Sequence, residues 1–147
     1  MITHTKIQRK FSRRYRFTLA APVMFSFDSS WPSLASWESG GGVKSWLTLS
    51  GREAYIPEGY SWNGCSPRPL GRWGVWWLGT PDFTATINAS LLHDALYQHL
   101  DMPGFPMDRG QCDRAFLEVM QGHRFPLARV YAGAVQIFGG LHRRITR

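Results

Sequence analysis

Hydrophobic and polar positions change their rhythm partway along this chain. From Tyr15 to Phe27, aromatic and β-branched residues crowd together with no helical stripe, and Val43 to Leu49 partly alternates, as a half-buried strand does. Glu53 to Ile56 reads as a further short strand that ends at Pro57-Glu58-Gly59, a turn signal. Between the strand regions, Asp28 to Gly42 is crowded with Ser, Pro and Gly and reads as a loop. From Thr84 to Leu100 there is neither proline nor glycine. Ile87, Leu91 and Asp94 share one stripe there, and Ala89, Leu92, His93, Leu96 and Tyr97 share another, which predicts a helix. Asp108 suits the N-cap of a second helix running to Met120 or Gln121, with Gly122 at its end. Pro126 opens a third helix through Phe138, and Gly139-Gly140 is expected to stop it.

Trp62 to Asp82 fits neither pattern, because Pro67, Pro69, Pro81 and several glycines forbid a regular helix or a central strand. It is expected to be a structured loop whose tryptophan-rich part, Gly71 to Gly79, packs in the core or presents an interfacial patch. The fold class that follows is α+β in one domain: a small amino-terminal antiparallel sheet, a long Trp-rich loop, then three helices. Its expected parts are a basic arm (1–16), a β region (17–59), the loop (60–83), a helical region (84–140) and a basic tail (141–147).

With 147 residues and 44% hydrophobic content, the chain has enough apolar material for one core, which excludes a disordered protein. The net charge of +7 is concentrated at the ends. Lys6, Arg9, Lys10, Arg13, Arg14 and Arg16 open the chain, and Arg143, Arg144 and Arg147 close it. The body between them is slightly acidic, so a basic stripe across a folded nucleic-acid-binding face is not indicated. Basic ends suit attachment to an anionic surface such as acidic lipid, RNA or a partner protein, or serve as solubilising tails. Cys65 and Cys112 are too few for the disulfide framework of a small secreted scaffold. No apolar run approaches the roughly 20 residues that span a bilayer, and Pro22 interrupts the segment that could imitate an export signal, so none is expected.

Candidate chemistry enters through the two helices. Asp113, Phe116, Leu117 and Met120 follow helical spacing, which places a carboxylate on an apolar face, and such a group needs a partner. His93 on the preceding helix supplies one if the pair packs antiparallel across its short connection. Asp113 would hold one ring nitrogen and leave the other free to take a proton from water, and Tyr97, one turn after His93, can donate its hydroxyl into the cluster. Asp94 leaves the helix about 100° from His93 and can face the loop Asn63-Gly64-Cys65-Ser66. One carboxylate facing backbone carbonyls meets the oxygen demand of calcium. A structural His93–Asp113 hydrogen bond between helices is the plain alternative, and a Cys65 nucleophile beside His93 is a further one. A metal-dependent phosphohydrolase of the His-Asp type would need another histidine ahead of the doublet, and none stands between Thr5 and Leu92.

The order Gly59-Tyr60-Ser61-Trp62-Asn63-Gly64-Cys65-Ser66-Pro67, then Leu92-His93-Asp94-Ala95-Leu96-Tyr97, then Cys112-Asp113-Arg114-Ala115-Phe116, resembles the bacterial phospholipases A₂. Over the longer span from Ile56 to Gly140 the chain also resembles a family of small phage and prophage proteins of uncharacterised activity. The first resemblance implies His93 as base, Asp113 as its orienter, Asp94 as calcium ligand and Asn63, Gly64 and Cys65 as the calcium loop, acting on phospholipid or an anionic membrane surface. The second implies phage virion partners, with a virion or host-cytoplasmic location and the helix pair kept as a scaffold in a tail or neck. Two departures stand out. Asn63 occupies the place of an Asp, which removes a charge from the expected metal site, and Ser90 that of a cysteine that bonds to the loop.

Overall fold

The computed structural model describes residues 1–10, 15–40, 45–64 and 83–145. Strands lead and helices follow, so the architecture is α+β. The strands are β1 (Thr3–His4), β2 (Arg9–Lys10), β3 (Phe17–Leu19), β4 (Val23–Ser26), β5 (Leu34–Glu38), β6 (Thr48–Gly51), β7 (Glu53–Ile56) and β8 (Ser61–Trp62). They form a five-stranded sheet in the order β1-β4-β7-β6-β5 and a three-stranded sheet in the order β2-β3-β8, with antiparallel pairing throughout. The helices are α1 (Thr84–His99), α2 (Arg109–Gly122) and α3 (Ala128–Ile145). No helix among the described residues is long and apolar enough to cross a membrane.

Alternation decides which face of the large sheet is buried. In β4, Val23 and Phe25 are buried while Met24 and Ser26 are partly exposed, and in β7 Ala54 and Ile56 point inward between exposed neighbours. These residues join Leu49, Ile87, Leu91, Leu92, Leu96, Phe116 and Met120 in one core cluster that both sheet and helices line. Fully burying a side chain the size of Phe25 or Phe116 contributes about 1.5–3 kcal/mol, so this shared cluster holds the helix pair against the sheet. Trp31 is a second tie: its indole N–H donates to Glu118 Oε2 at 3.1 Å, and the Arg114 guanidinium lies 4.5 Å from its ring centroid.

Three sequence expectations need correction. The stretch from Asp28 to Gly42, expected as a loop, contains β5, which pairs with β6 in spite of a bulge between Leu34 and Trp37. Trp37 then reaches the connection between α1 and α2, where its indole N–H donates to the Pro103 carbonyl at 3.2 Å and its ring meets Phe105 edge-on. Helix α3 does not stop at Gly139-Gly140 but runs to Ile145. Glycine inside a helix costs only about 1 kcal/mol relative to alanine, and the apolar spacing of Ile137 is resumed by Leu141. The amino-terminal arm is woven into both sheets, through β1 against β4 and β2 against β3. Asp108 does cap α2, as expected: its side chain accepts from Gln111 N at 2.8 Å, and Gln111 Oε1 accepts from Asp108 N at 2.7 Å. The tryptophan-rich part of the long loop lies outside the described residues; its first residues, Ser61–Trp62, are strand β8.

Candidate active site

Helices α1 and α2 pack face to face and bring together the residues that the sequence singled out. Imidazole Nε2 of His93 lies 3.1 Å from Asp113 Oδ1, and the Tyr97 hydroxyl donates to the same oxygen at 2.6 Å. His93 and Tyr97, one turn apart on α1, have ring centroids 4.0 Å apart, and Phe116 of α2 closes over His93 at 5.3 Å. Asp113 is only 4% exposed, so these bonds operate away from bulk water and are stronger for it.

Arg109 completes the cluster. Its Nε donates to the Tyr97 hydroxyl at 3.0 Å and lies 3.7 Å from Asp113 Oδ2, while its terminal nitrogen reaches the Gln136 carbonyl of α3. The sequence reading passed over Arg109, although its position four residues before Asp113 on the same helix was a usable signal. Asp113 thus has an imidazole, a phenol and a guanidinium about it, and the three helices meet through this one carboxylate.

Electrostatics follow from this packing. Burial alone pushes the Asp113 carboxyl up, but the hydrogen bonds from His93 and Tyr97 and the nearby positive charges outweigh it and hold the group below the usual carboxylate range. For His93, burial alone pushes the imidazole down; the Asp113 bond, then the Asp94 and Asp113 carboxylates together, outweigh it and leave the ring above its ordinary value. Burial, then the bond to Asp113, raises the Tyr97 hydroxyl, so Tyr97 serves as a donor and not as a phenolate. With Nε2 engaged, His93 Nδ1 has no hydrogen-bond partner among the described residues; it faces Asp94 Oδ1 at 4.0 Å, too long for a direct hydrogen bond.

The residues expected to hold calcium are placed less completely. Pairing of β8 with β3 sets Phe17 opposite Trp62 and Thr18 opposite Ser61, and Asn63 follows directly. Asn63 Oδ1 accepts from Arg16 N at 3.3 Å, and Gly64 takes a left-handed conformation with φ 74°. Cys65 lies outside the described residues. Burial raises the Asp94 carboxyl above its ordinary value, more than the neighbouring His93 lowers it. Asp94 in turn raises the Tyr60 hydroxyl, whose burial is the larger cause. That hydroxyl is buried and has no hydrogen-bond partner among the described residues. Among the same residues no three His, Cys, Asp or Glu gather around a metal-sized gap.

Other residues also find their places. Ser90, standing where the resemblance has a cysteine, is buried and donates to the Ile87 carbonyl at 2.9 Å. Cys112 is a free, buried thiol, and burial together with the nearby Asp113 pushes it up to about 12, which leaves it inert as a nucleophile. His99 is the last residue of α1 and is 7% exposed: its Nδ1 bonds the Ala95 carbonyl at 2.6 Å and its ring packs against Trp37. His123 stands at a helix end, as the C-cap of α2.

No known protein family, no curated protein and no solved structure matches the chain.

Proposed function

We propose that the protein is a calcium-assisted hydrolase of phospholipid esters, with His93 as general base, Asp113 as the residue that orients it and Tyr97 as the donor that fixes Asp113. One observation carries the reading: a single buried carboxylate holds His93 by Nε2 and leaves Nδ1 directed toward a second carboxylate, Asp94. A base that takes a proton from water needs such an arrangement, with one nitrogen anchored so that the ring neither rotates nor changes tautomer. Balance is simple: water loses its proton to Nδ1, its oxygen adds to the ester carbonyl, and the proton passes to the departing alcohol as the acyl–oxygen bond breaks.

The donor chemistry of the residues assigned to the metal suits calcium. Asp94 offers a carboxylate and Asn63 an amide oxygen with a second lone pair, both hard oxygen ligands. When bound, the cation supplies polarisation of the ester carbonyl. A carboxylate whose ionisation burial disfavours and a buried hydroxyl without a partner among the described residues lie near one another at Asp94 and Tyr60, and a bound group would relieve both. The exposed cations Lys6, Arg9, Lys10 and Arg16 would draw the protein to anionic lipid, worth about 1 kcal/mol for each basic residue near the surface.

Mixed vesicles of neutral and acidic phospholipid in millimolar calcium test the reading. Wild type should release fatty acid, and His93→Ala should fall by about two to four orders of magnitude. Equal release by a folded His93→Ala protein removes His93 from the chemistry. A second reading rests on the completeness of the Asp113 network, which ties α1, α2 and α3 through Arg109: a non-catalytic phage virion component that keeps the cluster as a brace. Absence of lipid hydrolysis by wild type, together with a fixed copy number in purified virions, would favour it.

A further inference from the structure

Strand β1 and the far end of α2 meet at two histidines. The Nε2 atoms of His4 and His123 lie 3.1 Å apart, although the residues are 119 positions apart in sequence. Close approach of the backbones permits this: a methyl group added at Gly122 would meet the Ile2 carbonyl oxygen at 3.6 Å and Met1 Cε at 3.1 Å. Asn88, from α1, brings its side-chain amide nitrogen to 3.2 Å from the same His123 Nε2. Three separate elements therefore aim polar side chains at one point.

Proton accounting leaves this point unsatisfied. His4 Nδ1 lies 3.0 Å from the Thr5 carbonyl, which can only accept, so a neutral His4 carries its proton on Nδ1 and presents a bare Nε2. His123 Nε2 accepts from the Asn88 amide, which leaves two nitrogen lone pairs facing each other across 3.1 Å. If His123 instead carries its proton on Nε2 and donates to His4, that proton confronts the Asn88 amide hydrogens, so neither neutral tautomer satisfies all three side chains as they stand. Asn88 is 4% exposed, and its Oδ1 has no partner among the described residues. Turning that amide over would put an oxygen where the nitrogen stands, beside both imidazoles.

We propose that His4, His123 and Asn88 form a binding site for a borderline transition-metal cation such as zinc(II), which clips β1 to α1 and α2. Two imidazole nitrogens 3.1 Å apart fit one cation at bond lengths of about 2.0–2.1 Å, with a ligand–metal–ligand angle of about 95–100°. The Asn88 oxygen supplies a third ligand and ends its own lack of a partner, and water reaches the exposed side of His123 to complete the shell. Neutral imidazole selects zinc, copper or nickel over calcium and magnesium. The site shares no residue with the His93 cluster and does not depend on the reading of that cluster.

The test uses tag-free, chelator-treated full chain with zinc chloride as the probe. At zinc concentrations about 100-fold above Kd, mass action should raise the melting temperature by roughly 5–10 °C. His4→Gln and His123→Gln should each weaken zinc binding in calorimetry by at least about tenfold, while His93→Gln should leave it unchanged. A readout on wild type alone avoids any effect of the variants on folding: zinc should protect His4 and His123 from diethylpyrocarbonate, as mapped by mass spectrometry. Unchanged modification of both histidines in the presence of zinc, or zinc affinity retained in both variants, overturns the proposal.

Discussion

Replacing Asp113 by asparagine keeps the shape of the side chain and removes its charge, which makes it the sharpest probe of the helix-pair cluster. In the native protein Oδ1 accepts from both His93 and Tyr97, and Oδ2 faces Arg109 at 3.7 Å. An asparagine oxygen can take the place of only one of these atoms. If it stays with His93 and Tyr97, an amide N–H₂ confronts the Arg109 guanidinium; if it turns, both native donors lose their acceptor. Hydrogen bonds to a charged group contribute about 1.5–3 kcal/mol and neutral ones about 0.5–1.5, so two weakened bonds amount to roughly 2–3 kcal/mol. For a chain of this length that corresponds to a fall of roughly 6–12 °C in melting temperature. The charge effect has a sign of its own. Burial, the largest influence on His93, lowers its proton affinity, and Asp113 is the first of the groups that oppose it, so the His93 pKa must fall in Asp113→Asn. The destabilisation is therefore greater at pH 6, where native His93 is protonated, than at pH 9. Thermal melts at the two pH values and an NMR titration of the His93 ring measure both parts. A His93 titration that does not move, or a loss of stability equal at both pH values, would refute the reasoning.

Further outcomes follow from the same structure. His93 is held above 6.5 when folded, so the stability it adds is full below 6.5 and disappears as pH rises through its folded value; Asp113 is held below 3.8, so its contribution is full above 3.8 and disappears as pH falls through its folded value. Melting temperature plotted against pH should decline on both sides of that window, and Asp113→Asn should flatten the acid side. Asp94 is raised by burial and disfavours folding once it ionises, so millimolar calcium should raise the melting temperature more at pH 8 than at pH 5, and an equal shift at both would place the cation elsewhere. Asp108→Ala removes the reciprocal cap of α2 and should cost about 1 kcal/mol in urea denaturation, with Gln111→Ala adding little to it because the two side chains act as a unit. Iodoacetamide at pH 8 should leave Cys112 unmodified until the protein is unfolded, as peptide mass spectrometry will show.

Local pattern alone determined much of this protein. The turn signal at Pro57-Glu58-Gly59 marked the end of the strand at Glu53–Ile56, helical spacing marked α1 and the inward face of α2, and Asp108 announced the start of α2 as its N-cap. The meeting of His93, Tyr97 and Asp113 was legible for the same reason: two of them sit one turn apart on one helix, the third lies on the apolar face of the next, and a short connection leaves few ways to pack the pair. What the sequence left undecided depends on partners distant along the chain. Leu34–Glu38 became a strand because β6 offered an edge to pair with, whatever its own Ser and Pro neighbours suggested. His99 was buried by Trp37, which arrives from β5. His4 and His123 came into contact only because β1 joins the sheet beside β4 and lies against the glycine that ends α2. Periodicity reports which side of an element is apolar, since it reflects the geometry of that element alone. Which distant surface will cover that side is settled by the energy of long-range packing and strand pairing, and that energy exists only once the chain has folded.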